Sequence, residues 1–206
     1  MKINKQAGQA SRLLLVLAIV ILVAGIVTYL IIKMAEKPPV PDTDPDSTIP
    51  LPVYEQTLGD VRFVFESALD KGGVLRASEV KDGQFIYQKK DLLVSNLGAK
   101  FVRVTVGAQN VGIENTVQGA WDIENIVDSK GRNFIPLEGY EINPWLPNPD
   151  MCGAVLKPAF DPTPCTKIYE VSKESTGLRI KVLTGKDNGT ISSGKTNSYL
   201  LDLIVK

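Results

Sequence analysis

Two rhythms of apolar side chains divide this chain. From Leu13 to Ile32 there is no alternation at all: LLLVLAIVILVAGIVTYLII is a run of twenty residues in which only Gly25 and Thr28 are not apolar. As a helix rising 1.5 Å per residue it covers about 30 Å, the thickness of a bilayer's hydrocarbon core. Fifteen of the twenty are Leu, Ile or Val, so insertion is favourable by on the order of 5 to 9 kcal/mol. Beyond residue 53 the period becomes two. Val61, Phe63 and Phe65 share one face, Val102, Val104 and Val106 another next to the polar Arg103 and Thr105. Leu178, Ile180 and Val182 alternate with Arg179 and Lys181, and Leu201, Leu203 and Val205 line the last segment. These patterns predict half-buried strands. Turn signals separate them at Lys71-Gly72-Gly73, Asp82-Gly83, Asn110 to Gly112, Ser129-Lys130-Gly131, Asp187-Asn188-Gly189 and Ser193-Gly194. Many short strands with glycine turns and no long helical stripe predict an all-β antiparallel sandwich, with a closed barrel as the alternative.

Four parts result: an N-terminal tail over 1–12, a transmembrane helix over 13–32, a linker over 33–52 and a β-rich body over 53–206. The linker is rich in proline and aspartate and reads as an extended polyproline stalk. Its Asp42, Asp44 and Asp46 have the opening spacing of a calcium loop, but Ser47 stands where the sharp turn needs glycine and Val53 where the closing glutamate belongs. The apolar run is longer than the core of a secretory leader and is followed by Lys-Met-Ala-Glu-Lys-Pro, so it reads as a retained signal anchor, with cleavage as the competing outcome. Lys2, Lys5 and Arg12 precede it, against Lys33 and Lys37 after it. The expected orientation is a cytoplasmic N-terminus with the body outside the membrane.

Charge adds to that picture. All 23 acids lie beyond Lys33, where 19 bases remain, so the rest of the chain carries a net −4 although the whole is neutral. Such a body lacks the basic footprint of a nucleic-acid binder. Histidine is absent, which excludes imidazole-based nucleophilic catalysis and histidine metal sites. No catalytic residue, cofactor or metal site is expected.

The order of segments in the body resembles the immunoglobulin-like domains of the bacterial immunoprotective extracellular superfamily, in particular a domain-of-unknown-function group within it. Three stretches carry the resemblance: Gly98-Ala99-Lys100-Phe101-Val102-Arg103-Val104-Thr105-Val106 with Asn110, Asp128-Ser129-Lys130-Gly131-Arg132-Asn133-Phe134, and Leu156-Lys157-Pro158 followed by Ile168-Tyr169-Glu170-Val171-Ser172. Ala159 stands where the pattern has glycine after Pro158. The resemblance covers about Thr57 to Val205. It implies an immunoglobulin-like fold, an extracytoplasmic place and no catalytic activity.

Cys152 and Cys165 enclose twelve residues, GAVLKPAFDPTP. In an extracytoplasmic chain with two cysteines, this spacing points to one disulfide. The surrounding proline-rich segment holds Tyr140, Trp145, Met151 and Phe160, a candidate recognition loop whose bland alternative is a cap over the core. Trp121, among alternating residues, reads as core. Gly189 to Thr196 satisfies the phosphate-loop expression GxxxxGK followed by Thr, yet the ten residues after it read as a strand. Asn188-Gly189-Thr190 is both a glycosylation sequon and a good hairpin turn. The expected function is a non-catalytic binding or display module at the cell surface, contacting the bilayer through residues 13–32 and an extracytoplasmic protein or ligand, with self-association left open. The alternative is a structural subunit of an envelope or secretion assembly that packs through Ala18, Ala24 and Gly25.

Overall fold

The computed structural model describes residues 51–80, 90–186 and 189–206. The expected transmembrane run, most of the linker, the Asp82-Gly83 turn and Asn188 lie outside the described residues. Among the described residues no helix is long and apolar enough to cross a membrane.

Among the described residues ten strands follow one another: β1 (Glu55–Leu58), β2 (Val61–Gly72), β3 (Val74–Leu75), β4 (Leu92–Leu93), β5 (Ala99–Asn110), β6 (Trp121–Val127), β7 (Asn133–Phe134), β8 (Thr163–Ser172), β9 (Arg179–Gly185) and β10 (Thr196–Asp202). They form two four-stranded sheets, ordered β1-β2-β5-β8 and β10-β9-β6-β7, with β3 and β4 as a separate pair. All ladders are antiparallel. The body is therefore a β-sandwich.

Period-two patterning explains the layers. Val102, Val104 and Val106 of β5 point inward and are fully buried against Trp121, Ile123, Ile180 and Val182 of the facing sheet. Each such side chain contributes about 1.5–3 kcal/mol by leaving water. Trp121 packs edge-on against Phe63 with ring centres 6.3 Å apart, and its indole N–H donates to Ala154 O at 2.7 Å. Phe65 departs from the simple pattern: β2 bulges between Phe65 and Ser67, so Phe65 is only partly buried. Bulges re-aim side chains in this way. At the open edge of the sandwich Lys167 of β8 reaches the other sheet, donating to Asp122 Oδ2 at 2.9 Å and Ile123 O at 2.7 Å. Tyr169 does the same, its hydroxyl donating to Glu124 O at 2.6 Å. Burial, aided by the Asp122 and Glu124 carboxylates, pushes its phenol well above the ordinary value.

A second apolar layer covers the outer face of the first sheet. Phe101 and Ile168, on the parity opposite to the core, are buried by Leu75, Ile142 and Trp145. After β7 the chain leaves the second sheet, bridges Pro136 to Tyr169, and lays residues 137–147 over β5 and β8. The polar Arg103 and Thr105 therefore lie under cover rather than on an open face.

The two ends of the sandwich are closed by the polar residues that carry the family resemblance. At one end Asp128, fully shielded from solvent, accepts from the backbone N–H of Lys130 and Arg132, both at 2.9 Å, from Arg132 Nε at 2.7 Å and from the Ser175 hydroxyl at 3.0 Å. Gly131 supplies the positive φ of 75° that the turn needs. Burial by itself would raise the carboxyl's pKa, but these donors outweigh it and hold it down at about 2. An unfolded aspartate titrates near about 4. Because the folded value is the lower one, the stabilisation is complete above about pH 4 and is lost as pH falls towards about 2. Thermal unfolding of the full chain followed by circular dichroism is expected to show a midpoint that drops across this window. The drop is shallower in Asp128→Asn, whose midpoint at neutral pH is already several degrees lower.

Candidate functional site

The segment 137–160 carries every residue of the expected recognition loop, and the structure splits it into two parts. The first part crosses the outer face of the first sheet. There Trp145 is buried in the second apolar layer and its indole N–H donates to Arg76 O at 2.9 Å. Tyr140, on the turn before it, is almost fully exposed. The second part, 151–160, closes the end of the sandwich opposite Asp128 and carries Met151 and Phe160, both solvent-accessible. Trp145 thus serves packing, while Met151 and Phe160 belong to a different surface.

The disulfide expected between Cys152 and Cys165 is present, with Cα atoms 4.6 Å apart. Cys165 sits on β8 in the main core, so the bond fastens the 151–160 loop to a fully buried anchor. Asp122 lies beside it, with Oδ1 3.7 Å from Cys165 Sγ. The grouping of Asp122, Cys152 and Cys165 is not a metal centre, because both sulfurs are consumed in the bond and have no thiolate to offer.

A second set of bonds fastens the loop to its neighbour, residues 111–120. Thr116 N–H donates to Leu156 O at 3.0 Å, Leu156 N–H returns a bond to Thr116 Oγ1 at 2.8 Å, and Gly119 N–H donates to Gly153 O at 2.7 Å. Asn110, buried at the tip of β5, joins both loops: its Nδ2 donates to Glu114 O at 2.6 Å and Leu156 O at 3.0 Å, and its Oδ1 accepts from Gly112 N–H at 2.8 Å. Gln109 Nε2 adds a bond to Phe160 O at 2.9 Å. The two loops thereby become one surface, on which Val111, Ile113, Val117, Val155 and Phe160 stand exposed. Ile113 is 94% and Phe160 62% accessible, more than packing within the domain requires. Lys157 stands over the Phe160 ring, with Nζ 5.7 Å from its centre.

No family model and no curated protein matches the sequence. Similar folds occur among solved structures. A conserved hypothetical protein of Bacillus anthracis is 12% identical with a TM-score of 0.45, over 74% of this chain and 94% of that one. A putative lipoprotein of Bacillus subtilis is 9% identical with a TM-score of 0.42, over 73% and 38%. An uncharacterized β-sandwich protein of Clostridium difficile is 8% identical with a TM-score of 0.36, over 73% and 91%. At these identities and scores the likenesses transfer no role to this chain.

Ala159, which replaces the glycine of the resembling pattern, keeps a left-handed backbone with φ of 62°. An L-residue there costs about 1–2 kcal/mol, and glycine returns part of that gain as chain entropy. Ala159→Gly is expected to stabilise the domain by about 1 kcal/mol, read as a higher denaturant midpoint with unchanged slope.

The Gly189 to Thr196 run leads into β10 and not into a helix. It has no helix N-terminus to hold a phosphate. Lys195 contributes its carbonyl to a turn, accepting from Lys186 N–H.

Proposed function

We propose that the chain is a single-pass membrane protein whose immunoglobulin-like sandwich lies outside the cytoplasm and binds a protein partner without catalysis, through the paired loops 111–120 and 151–160. The carrying observation is the position of that surface. Leu51 and Val53 begin the described domain beside Asp202, with Val53 N–H donating to Asp202 Oδ2 and Asp202 N–H to Val53 O. Asp202 pairs with Arg179, and Arg179 with Val127, next to the Asp128 turn. A tether joined at Leu51 therefore meets one end of the sandwich, and the apolar loop surface occupies the other.

The sequence supplies the rest of the reading. The Leu13 to Ile32 run supports the anchor, and the disulfide fits an oxidising space. The Asn110, Asp128 and Leu156-Lys157-Pro158 positions, which cap the two ends, support the immunoglobulin-like assignment. The apolar tips, rimmed by the charges of Glu114, Lys157 and Asp161, have the makeup of a protein-contact surface.

A photo-crosslinking amino acid placed at 113 or 160 of the full-length chain in its own membrane tests the proposal. Both positions are expected to trap the same discrete species, absent from position 97 at the opposite end, and protease added to intact cells is expected to remove the domain. Equal patterns from 97, 113 and 160, or a domain that protease reaches only after permeabilisation, would overturn it.

A further inference from the structure

The cover that residues 137–147 lay over the first sheet is incomplete, and the gap is a cavity of about 440 Å³. Its floor is the outer face of β5 and β8. Arg103 faces Ile168 across the ladder and Thr105 faces Thr166, and all four line the cavity. Leu146, Pro147 and an edge of Trp145 supply apolar walls. This volume lies within the range of small-molecule sites.

Among the described residues the charges that line this cavity do not balance. Lys71 and Glu79 both line it, and they neutralise one another in an ion pair of 2.5 Å. Arg103 has no ion-pair partner among the described residues, so one guanidinium charge remains. Beside it the Thr105 and Thr166 hydroxyls lie 2.9 Å apart. One of them donates to the other, which leaves a single O–H free to donate. The indole N–H of Trp145 is already spent on Arg76 O, so the ring offers the cavity an apolar surface.

We propose that this cavity binds a small monocarboxylate with a compact apolar body. The guanidinium fork matches the two oxygens of a planar carboxylate, the free threonine hydroxyl donates a further bond, and the body packs against Leu146, Pro147 and the accessible edge of Trp145. A single uncompensated positive charge suits a monoanion, and a phosphate dianion would be left half neutralised. The site is on a different face from the paired loops, so it stands or falls apart from the partner surface proposed above.

The test is a ligand-observed NMR titration of the full-length chain in nanodiscs with 4-methylpentanoate and its neutral analogue 4-methylpentanamide. The acid is expected to bind at least about ten-fold more tightly, the size of a charge-assisted contact. Arg103→Gln is expected to lower the acid to the level of the amide while leaving the amide unchanged. Arg103→Lys, which keeps the charge and loses the fork, falls between. Equal binding of acid and amide by the unaltered chain would overturn the proposal, as would binding of neither, displacement of the acid by equimolar inorganic phosphate, or an acid preference that survives in a folded Arg103→Gln chain.

Discussion

Replacing both cysteines, Cys152→Ser with Cys165→Ser, is expected to lower the unfolding free energy by about 3 kcal/mol. The bond closes a loop across a sequence separation of 13, and an open chain regains the entropy that such a closure removes. A domain's net stability is only about 5–15 kcal/mol, so this is a large fraction of the total. The midpoint should fall by about 10 °C. Two measurements check the assignment. A reductant lowers the midpoint of the unaltered chain towards that of the double serine variant, and it leaves the variant where it is. A midpoint indifferent to reductant would mean that the 151–160 loop is held by its hydrogen bonds alone.

Asn110→Ala is expected to cost about 3 kcal/mol. The side chain is buried, and its removal breaks three hydrogen bonds: the Glu114 carbonyl and the Gly112 N–H lose their partner, and the Leu156 carbonyl keeps only the Thr116 N–H. Each hydrogen bond of this kind is worth about 1 kcal/mol, and more when its partner is left buried and unpaired. Asn110→Asp should be at least as costly at neutral pH, because a carboxylate would then face two carbonyl oxygens with no proton to give. Denaturant unfolding of both variants measures these losses. Leu156 lies inside the loop that the disulfide closes, so the two perturbations act on one segment. The triple variant is expected to lose less than the sum of the separate losses.

The sandwich was legible in the sequence because its inner faces obey the simplest rule a sheet has. Val102, Val104 and Val106 alternate with Arg103 and Thr105, and that pattern alone fixes which side meets the core. The same rule misleads on the other side. Arg103 and Thr105 read as a solvent face, yet residues 137–147 lie over them, and that cover depends on a crossing from β7 to β8 that no local pattern encodes. The available hint was Phe101 and Ile168, two large apolar side chains on the polar parity. The disulfide was readable from spacing and composition. Asn110 and Asp128 were visible as turn residues, but their burial and their several partners arise only when distant loops meet. Tyr140, Trp145, Met151 and Phe160, grouped by closeness along the chain, part company because the segment turns from a sheet face to a sandwich end between them.

The bonds that unite the paired loops nearly all end on main-chain atoms or on the inward-facing Asn110 and Thr116. The projecting side chains at 111, 113, 117, 155 and 160 take no part in those bonds. Selection can therefore exchange them freely without disturbing the mount, in the manner of a tool holder that accepts many bits. Diversity among descendants of this chain should concentrate at those five positions, and an engineer seeking a new specificity would randomise them first.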